Sequence, residues 1–470
     1  MISSLQTTPP ARQSAPQDGT NTEATESTVT EQTVIEQTVI EQIEEMVEDW
    51  DFDEVDEITV SSASQLIKDL SFASVDFVQL FVAIETAFGR KFGFHDLIMP
   101  ADTYVEDLSV GEIVAYIRTM LQPETAVSTA SPAATHSIGD AVGDAIAAPP
   151  EQRLTDADFA QFQQLIPTPP ALAPTGDRNP PAVFILSPPR SGSTLFRIML
   201  AGHPQLFVPP ELHLLTYRDL QERSHALGND LNRHLLSGTI QAIQHAYACS
   251  QADAEQQMAS YTAQNLSVQQ FYQALQASPG VSGSDRLLID KTPSYSYHLS
   301  LLQRIEALFD NAIYIHLSRH PYGMIRSFTD ARLDQLVPFL SRSPFSAQQR
   351  AELIWATSEQ NIQTFLQSVD AHRQLHIRYE DIVKATAPAM QKVSQFLQIP
   401  FSESLLTPYE STDQRMTAGG EANAQMSGDL KFHLHGQIEA SMADRWRQFH
   451  TQDFLSDRSL SLARSLGYEV

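Results

Sequence analysis

Short apolar runs alternate with longer amphipathic stretches over the last two thirds of the chain. The runs AVFIL (182–186), LLID (287–290), AIYIHLS (312–318) and LHIRY (375–379) are aliphatic and rich in β-branched residues, without the strict alternation of a half-solvated strand. They predict buried parallel strands, and the amphipathic stretches between them predict the helices that cover such a sheet. The expectation is an α/β fold in which ligands bind beyond the carboxyl ends of the strands.

The N-terminal quarter follows a different pattern. EQTVIEQTVIEQIEEMVEDW is a short tandem repeat that puts Val34, Ile35, Val39, Ile40 and Ile43 on roughly one side of a helix. Val75, Val78, Leu80, Ile84 and Phe88 recur at helical spacing, as do Ile113, Tyr116 and Ile117, which predicts a small helical bundle. Residues 1–30 are rich in Ser, Thr, Gln and Pro, the composition of a disordered tail. Residues 123–150 are rich in Ala, Pro, Ser, Thr and Gly, as in a flexible linker. The predicted organisation is a tail (1–30), a helical domain (31–122), a linker with one short helix at TDADFAQFQQLI (123–178) and an α/β domain (179–470).

Charge sharpens this division. Residues 1–122 hold 23 acidic and 5 basic residues, so 18 of the net 27 negative charges lie in that quarter. A chain this acidic has no general attraction to nucleic acid or an anionic membrane, and any anionic ligand must be captured by a local basic pocket. Cys249 is the single cysteine, which excludes an internal disulfide. It reads as a small packed residue. A polar N-terminus, no bilayer-length apolar run and no disulfide framework together predict a cytoplasmic protein.

The stretch SPPRSGSTLFRIMLAGHP (187–204) follows the first predicted strand directly. Thr194–Ala201 reads as a helix, with Gly202 suited to its end and Pro204 blocking its return. A loop entering a helix N-terminus offers free N–H groups and the positive end of the helix dipole, a cradle for an anion. Gly192 lets backbone approach closely, Ser191, Ser193 and Thr194 add hydroxyls, and Arg190 adds charge. The nucleoside-triphosphate loop needs a lysine after its last glycine, and none follows Gly192. In AIYIHLSRHPYGMIRSF, Arg319 follows a strand and Ser327 lies eight residues on, a pair able to clamp a second phosphate.

With DKTP (290–293) and RYEDIV (378–383), these motifs resemble the PAPS-dependent sulfotransferases, where PAPS is 3′-phosphoadenosine 5′-phosphosulfate. The likeness runs from about residue 180 to the end and is nearest to the tyrosylprotein-sulfotransferase-like branch and the sulfotransferases of polyketide assembly lines. It implies a P-loop-like α/β domain in which Arg190, Ser191, Gly192, Ser193 and Thr194 hold the 5′-phosphosulfate. Arg319 and Ser327 would hold the 3′-phosphate, and Tyr379 would contact the nucleotide. Glu211 in PPELHLL matches the base of the former branch, and Lys291 matches a lysine near the sulfonate. Arg190 and Lys291 would stabilise charge on the moving group without a metal. His213 and His298 are rival bases. Lys431, in SGDLKFHLHG, is a loose counterpart of a nucleotide-closing loop, and His433 and His435 read as surface or ligand-facing rather than metal-binding.

The helical domain, with DLSV (107–110) near its end, resembles an acyl carrier protein, which implies 4′-phosphopantetheine on Ser74 attached by a phosphopantetheinyl transferase. Carriers usually read Asp-Ser-Leu there, whereas this chain reads Ala73-Ser74-Val75, and a plain helix N-cap is the other reading of Ser74. Two functions follow. In one, a carrier-tethered β-hydroxyacyl chain is O-sulfonated within an assembly line of upstream and downstream enzymes. In the other, the bundle is an unmodified docking module, and the transferase acts on a free metabolite or lipid.

Overall fold

The computed structural model describes residues 22–48, 60–70, 72, 74–94, 97, 107–121, 153–172, 174, 176–228, 233–410, 415, 437–449 and 453–470. They form two compact units. No described helix is long and apolar enough to cross a membrane.

The first unit contains helices Thr22–Glu48 and Val110–Leu121 and the part of helix Ser74–Ala87 from Leu80 onward. The first begins within the span read as a tail. Its buried stripe is Ile35, Val39, Ile43 and Met46, while Val34 is 57% exposed and Ile40 only half-buried. A five-residue repeat advances faster than the 3.6-residue turn, so one member of each Val-Ile pair rotates off the buried face. Leu80, Phe81 and Ile84 of the second helix and Val110, Ile113, Val114 and Ile117 of the third are buried as well. Phe81 stacks on Phe94 with ring centroids 4.3 Å apart. Ser74 is the first residue of its helix.

The second unit is built on a five-stranded parallel sheet of order β2-β3-β1-β4-β5. The strands are β1 (Val183–Leu186), β2 (Leu206–Phe207), β3 (Leu287–Lys291), β4 (Ile313–Ser318) and β5 (Gln374–Arg378). Four match the predicted runs. β2 is the addition, too short and too close to Pro209 and Pro210 to show a pattern. Alternation across the sheet divides the core: Phe184, Leu186 and Tyr314 face one cluster, and Val183, Ile185, Ile315 and Leu317 the other. β5 departs from expectation, since of its five residues only Ile377 is buried; it lies at the sheet edge, where one flank has no strand to cover it.

The helix Asp156–Leu165 has a capping box in which the Thr155 hydroxyl accepts from Asp158 N and the Asp158 carboxylate accepts from Thr155 N. It buries Phe159 and Phe162 in a third cluster, with Met324, Phe328, Ile354 and Trp355. The span read as linker thus contributes to a core.

Candidate active site

β1 ends at Leu186, and the chain turns through Ser187–Gly192 into the helix Ser193–Ala201. Arg190 (φ 57°) and Gly192 (φ 76°) both take left-handed backbone, which turns the helix N-terminus toward the space beyond the strand ends. Ser191, Ser193 and Thr194 are buried. The hydroxyls of Ser187 and Ser191 are buried without a hydrogen-bond partner among the described residues. Idle buried donors beside a helix N-terminus suit a ligand with several anionic oxygens, such as a phosphosulfate.

Gly192 is required by a neighbour within the protein as well as by the turn: a Cβ there would lie 2.2 Å from Cδ2 of Tyr379. Tyr379 opens the helix that follows β5. Arg319, just after β4, lies 4.6 Å from the centroid of the Tyr379 ring and donates from Nη1 to the Arg190 carbonyl at 2.8 Å. Arg190 in turn donates from Nε to Ser327 Oγ at 3.1 Å. Glu380 locks this arrangement, accepting from the His320 backbone N–H at 2.9 Å and from the Tyr468 hydroxyl at 3.1 Å. The cradle and the Arg319–Ser327 pair, far apart in sequence, are therefore one cluster. At the end of the cradle helix Gly202 has ordinary right-handed backbone. It is needed because a Cβ would stand 2.5 Å from the Ser404 carbonyl.

Lys291 ends β3, in register with Ile185 of β1, so its side chain starts beside the cradle. Its Nζ contacts Glu211 Oε1, and His213 Nε2 lies 3.3 Å from Glu211 Oε2. The Lys291 side chain is 1% exposed and that of Glu211 16%, so water screens the pair little. Burial by itself would raise the Glu211 carboxyl, but Lys291 and His213 hold it well below the usual carboxylate range. Burial depresses the Lys291 ammonium, with Glu211 opposing and the like charge of Arg197 assisting.

A buried network fixes the irregular segment that carries Glu211. The Leu212 N–H donates to Thr292 Oγ1 at 3.3 Å and the Leu214 N–H to the Tyr295 hydroxyl at 2.8 Å. Thr292 and Tyr295 donate to Asp290, as does Tyr272. Arg223, fully buried, donates from Nε to the Leu212 and His213 carbonyls at 3.1 and 3.2 Å. Gly238 lies against the same segment, where a Cβ would be 2.0 Å from the Glu211 carbonyl oxygen. Backbone must yield there, so Gly238→Ala is expected to lower turnover roughly 10–100-fold through misplacement of the carboxylate. Bisphosphate affinity, measured by calorimetry beside the rate, stays within about twofold if the cradle is undisturbed.

Of the residues singled out in the sequence, Arg190 to Thr194, Arg319, Ser327 and Tyr379 form one cluster, and Glu211, His213 and Lys291 form another at the end of the adjacent strand. His298 serves as the N-cap of helix Leu299–Leu308, its Nδ1 accepting from Ser300 N at 3.3 Å. Cys249 is partly buried. Lys431, His433 and His435 lie outside the described residues. Sequence reading passed over Asp290, Tyr272, Tyr295, Arg223 and Arg197. For Arg197 the one available signal was a charge on the apolar face of the cradle helix.

Known proteins similar to this chain are sulfotransferases or resemble it over part of their length. The family model described as "Sulfotransferase family" matches residues 181–403. The sulfotransferase domain from the curacin biosynthetic pathway is 38% identical, covering 63% of this chain and 100% of that one, with a TM-score of 0.57. The sulfotransferase domain from the Synechococcus PCC 7002 olefin synthase is 36% identical, covering 64% and 100%, with a TM-score of 0.56. Nodulation protein NoeE of Sinorhizobium fredii is 26% identical over 239 residues, 50% of this chain and 49% of that protein, so the chain spans about half the length of this curated relative. The chain belongs to the sulfotransferase family, a family of enzymes.

Proposed function

We propose that the second unit transfers the sulfonate of PAPS to the hydroxyl of a β-hydroxyacyl chain tethered through phosphopantetheine on Ser74, within the N-terminal span read as a carrier. The observation that carries the reading is the meeting of the Arg190–Thr194 loop with Arg319, Ser327 and Tyr379, beside Glu211 and Lys291 on the neighbouring strand end. Arg190 to Thr194 would hold the phosphosulfate, and Arg319 with Ser327 the 3′-phosphate. The donor supplies an activated sulfonate on a phosphate leaving group. The acceptor oxygen forms its bond to sulfur as the bond from sulfur to the bridging oxygen breaks. The acceptor proton goes to Glu211, and the bisphosphate leaves with the electron pair. Lys291 and Arg190 would balance the charge that develops on the bridging oxygen.

Two of the similar structures are named for the curacin pathway and an olefin synthase, which supports an assembly-line setting. Residues 123–150, read from composition as a linker, lie outside the described residues; covalent fusion would keep a tethered acceptor at high effective concentration. The departure at Ala73-Ser74-Val75 favours the second reading, a docking module with a free acceptor. Intact-protein mass spectrometry after incubation with coenzyme A and a broad-specificity phosphopantetheinyl transferase decides between them. The expected result is one phosphopantetheine increment that Ser74→Ala abolishes. An unchanged mass, with sulfonation of a free hydroxyl compound retained, establishes the docking reading instead.

A further inference from the structure

Arg197 sits on the buried face of the cradle helix and is 0% exposed. Its Nη1 donates to the carbonyls of Val208 at 3.3 Å and Arg415 at 3.2 Å, whereas Nε and Nη2 are buried with no hydrogen-bond partner among the described residues. Burial brings its pKa down to about 10, with Glu211 opposing, so it is a cation at neutral pH. Two carbonyl bonds do not require a charge, and a buried cation with idle donors burdens the fold. Its charge calls for a function of its own.

That function is found three residues beyond Val208. Pro209 and Pro210 join Val208 to Glu211, and their rings fix φ at both positions, so an anchor at Val208 is transmitted to the carboxylate along a stiff segment. Lys291 from β3 and His213 from its own segment act on Glu211, whose charge in turn acts on Arg197 of the cradle helix and on Tyr297 of the turn Pro293–Tyr297. Lys291 has two duties in the reaction proposed above: it pairs with Glu211 now and serves the sulfonate when the donor is bound. Resting on that reading, we propose that Arg197 is a positioning residue for the base. It pins the Val208–Glu211 segment and places a buried cation against it while Lys291 attends to the donor.

The test compares Arg197→Gln, which can keep an N–H on Val208 without the charge, with Arg197→Lys, which keeps the charge, in the full chain. Glu211→Gln and the Arg197→Gln/Glu211→Gln double variant complete the set. Turnover is followed against pH at saturating PAPS with a 3-hydroxyacyl pantetheine acceptor, beside affinity for adenosine 3′,5′-bisphosphate. Arg197→Gln is expected to lower kcat roughly 10–100-fold and move the acid limb of the profile to higher pH, with bisphosphate affinity within about twofold. Arg197→Lys keeps the wild-type limb. In the Glu211→Gln background, Arg197→Gln costs less than about threefold more, because the carboxylate it acts through is gone.

An unmoved acid limb in Arg197→Gln overturns the inference, as does a fully multiplicative loss in the double variant. If Arg197→Gln does not fold, Arg197→Lys decides: a displaced limb overturns the role of the charge, and an unmoved limb with kcat within about fivefold upholds it. Near-normal turnover in Glu211→Gln alone would remove the proposed base and this inference with it. A crippled Glu211→Gln beside a multiplicative double variant removes only the inference.

Discussion

Glu211→Gln lowers turnover by about 10²–10⁴-fold, the span lost with a general base, and leaves affinity for adenosine 3′,5′-bisphosphate nearly intact. The geometry adds a second expected effect. Glu211 neutralises Lys291 in a buried pair, and removing one partner of such a pair costs about 3–5 kcal/mol, less where the other can shed its charge. Burial already depresses the Lys291 ammonium, so the lower end applies. The ligand-free variant should therefore melt below wild type, and with affinity nearly intact bisphosphate should raise both proteins by a similar amount. His298→Ala should behave otherwise, losing about 0.5–2 kcal/mol with the N-cap and much less turnover. Steady-state bisphosphate release, read beside melting curves with and without nucleotide, separates the two residues. Near-normal rates in Glu211→Gln with an inactive His298→Ala would assign the base to His298.

Arg319→Ala weakens bisphosphate binding by about 1.5–3 kcal/mol, the range for a charge-assisted hydrogen bond in a desolvated setting. Three contributions leave together: the proposed bond to the 3′-phosphate, the donor to the Arg190 carbonyl, and the cation over the Tyr379 ring. The last two matter because they hold Tyr379 against Gly192, so the loss spreads to the cradle. Calorimetry without magnesium measures it, and an unchanged affinity would remove Arg319 from the nucleotide site.

The strands were legible because a sheet buried on both faces leaves uninterrupted apolar runs, and the residues after those runs are where such sheets place ligands. Arg190 and Arg319 were singled out in that way, and Lys291 through the resemblance carried by DKTP. What stayed hidden depends on tertiary approach. Nothing in the residue string says that Gly192 must admit a tyrosine from the helix that follows β5, or that Gly238 must clear the Glu211 carbonyl. Asp290 reads as the polar end of a strand until Tyr272, Tyr295 and Thr292 close around it. The repeat in the first unit shows the converse. Its composition announced a helix, but which of each Val-Ile pair faces inward was settled by the helical turn rather than by the repeat.

The central claim is that one cluster binds PAPS and the neighbouring Glu211–Lys291 pair directs its sulfonate to a hydroxyl. The most direct measurement incubates the full chain with PAPS and a 3-hydroxyacyl pantetheine substrate in a chelator, and follows adenosine 3′,5′-bisphosphate and acceptor mass together. The expected result is equal amounts of bisphosphate and sulfated acceptor, formed without magnesium and at a rate that falls in Glu211→Gln. Bisphosphate release without sulfated product, or tight ATP binding that requires magnesium in place of PAPS binding, would contradict it.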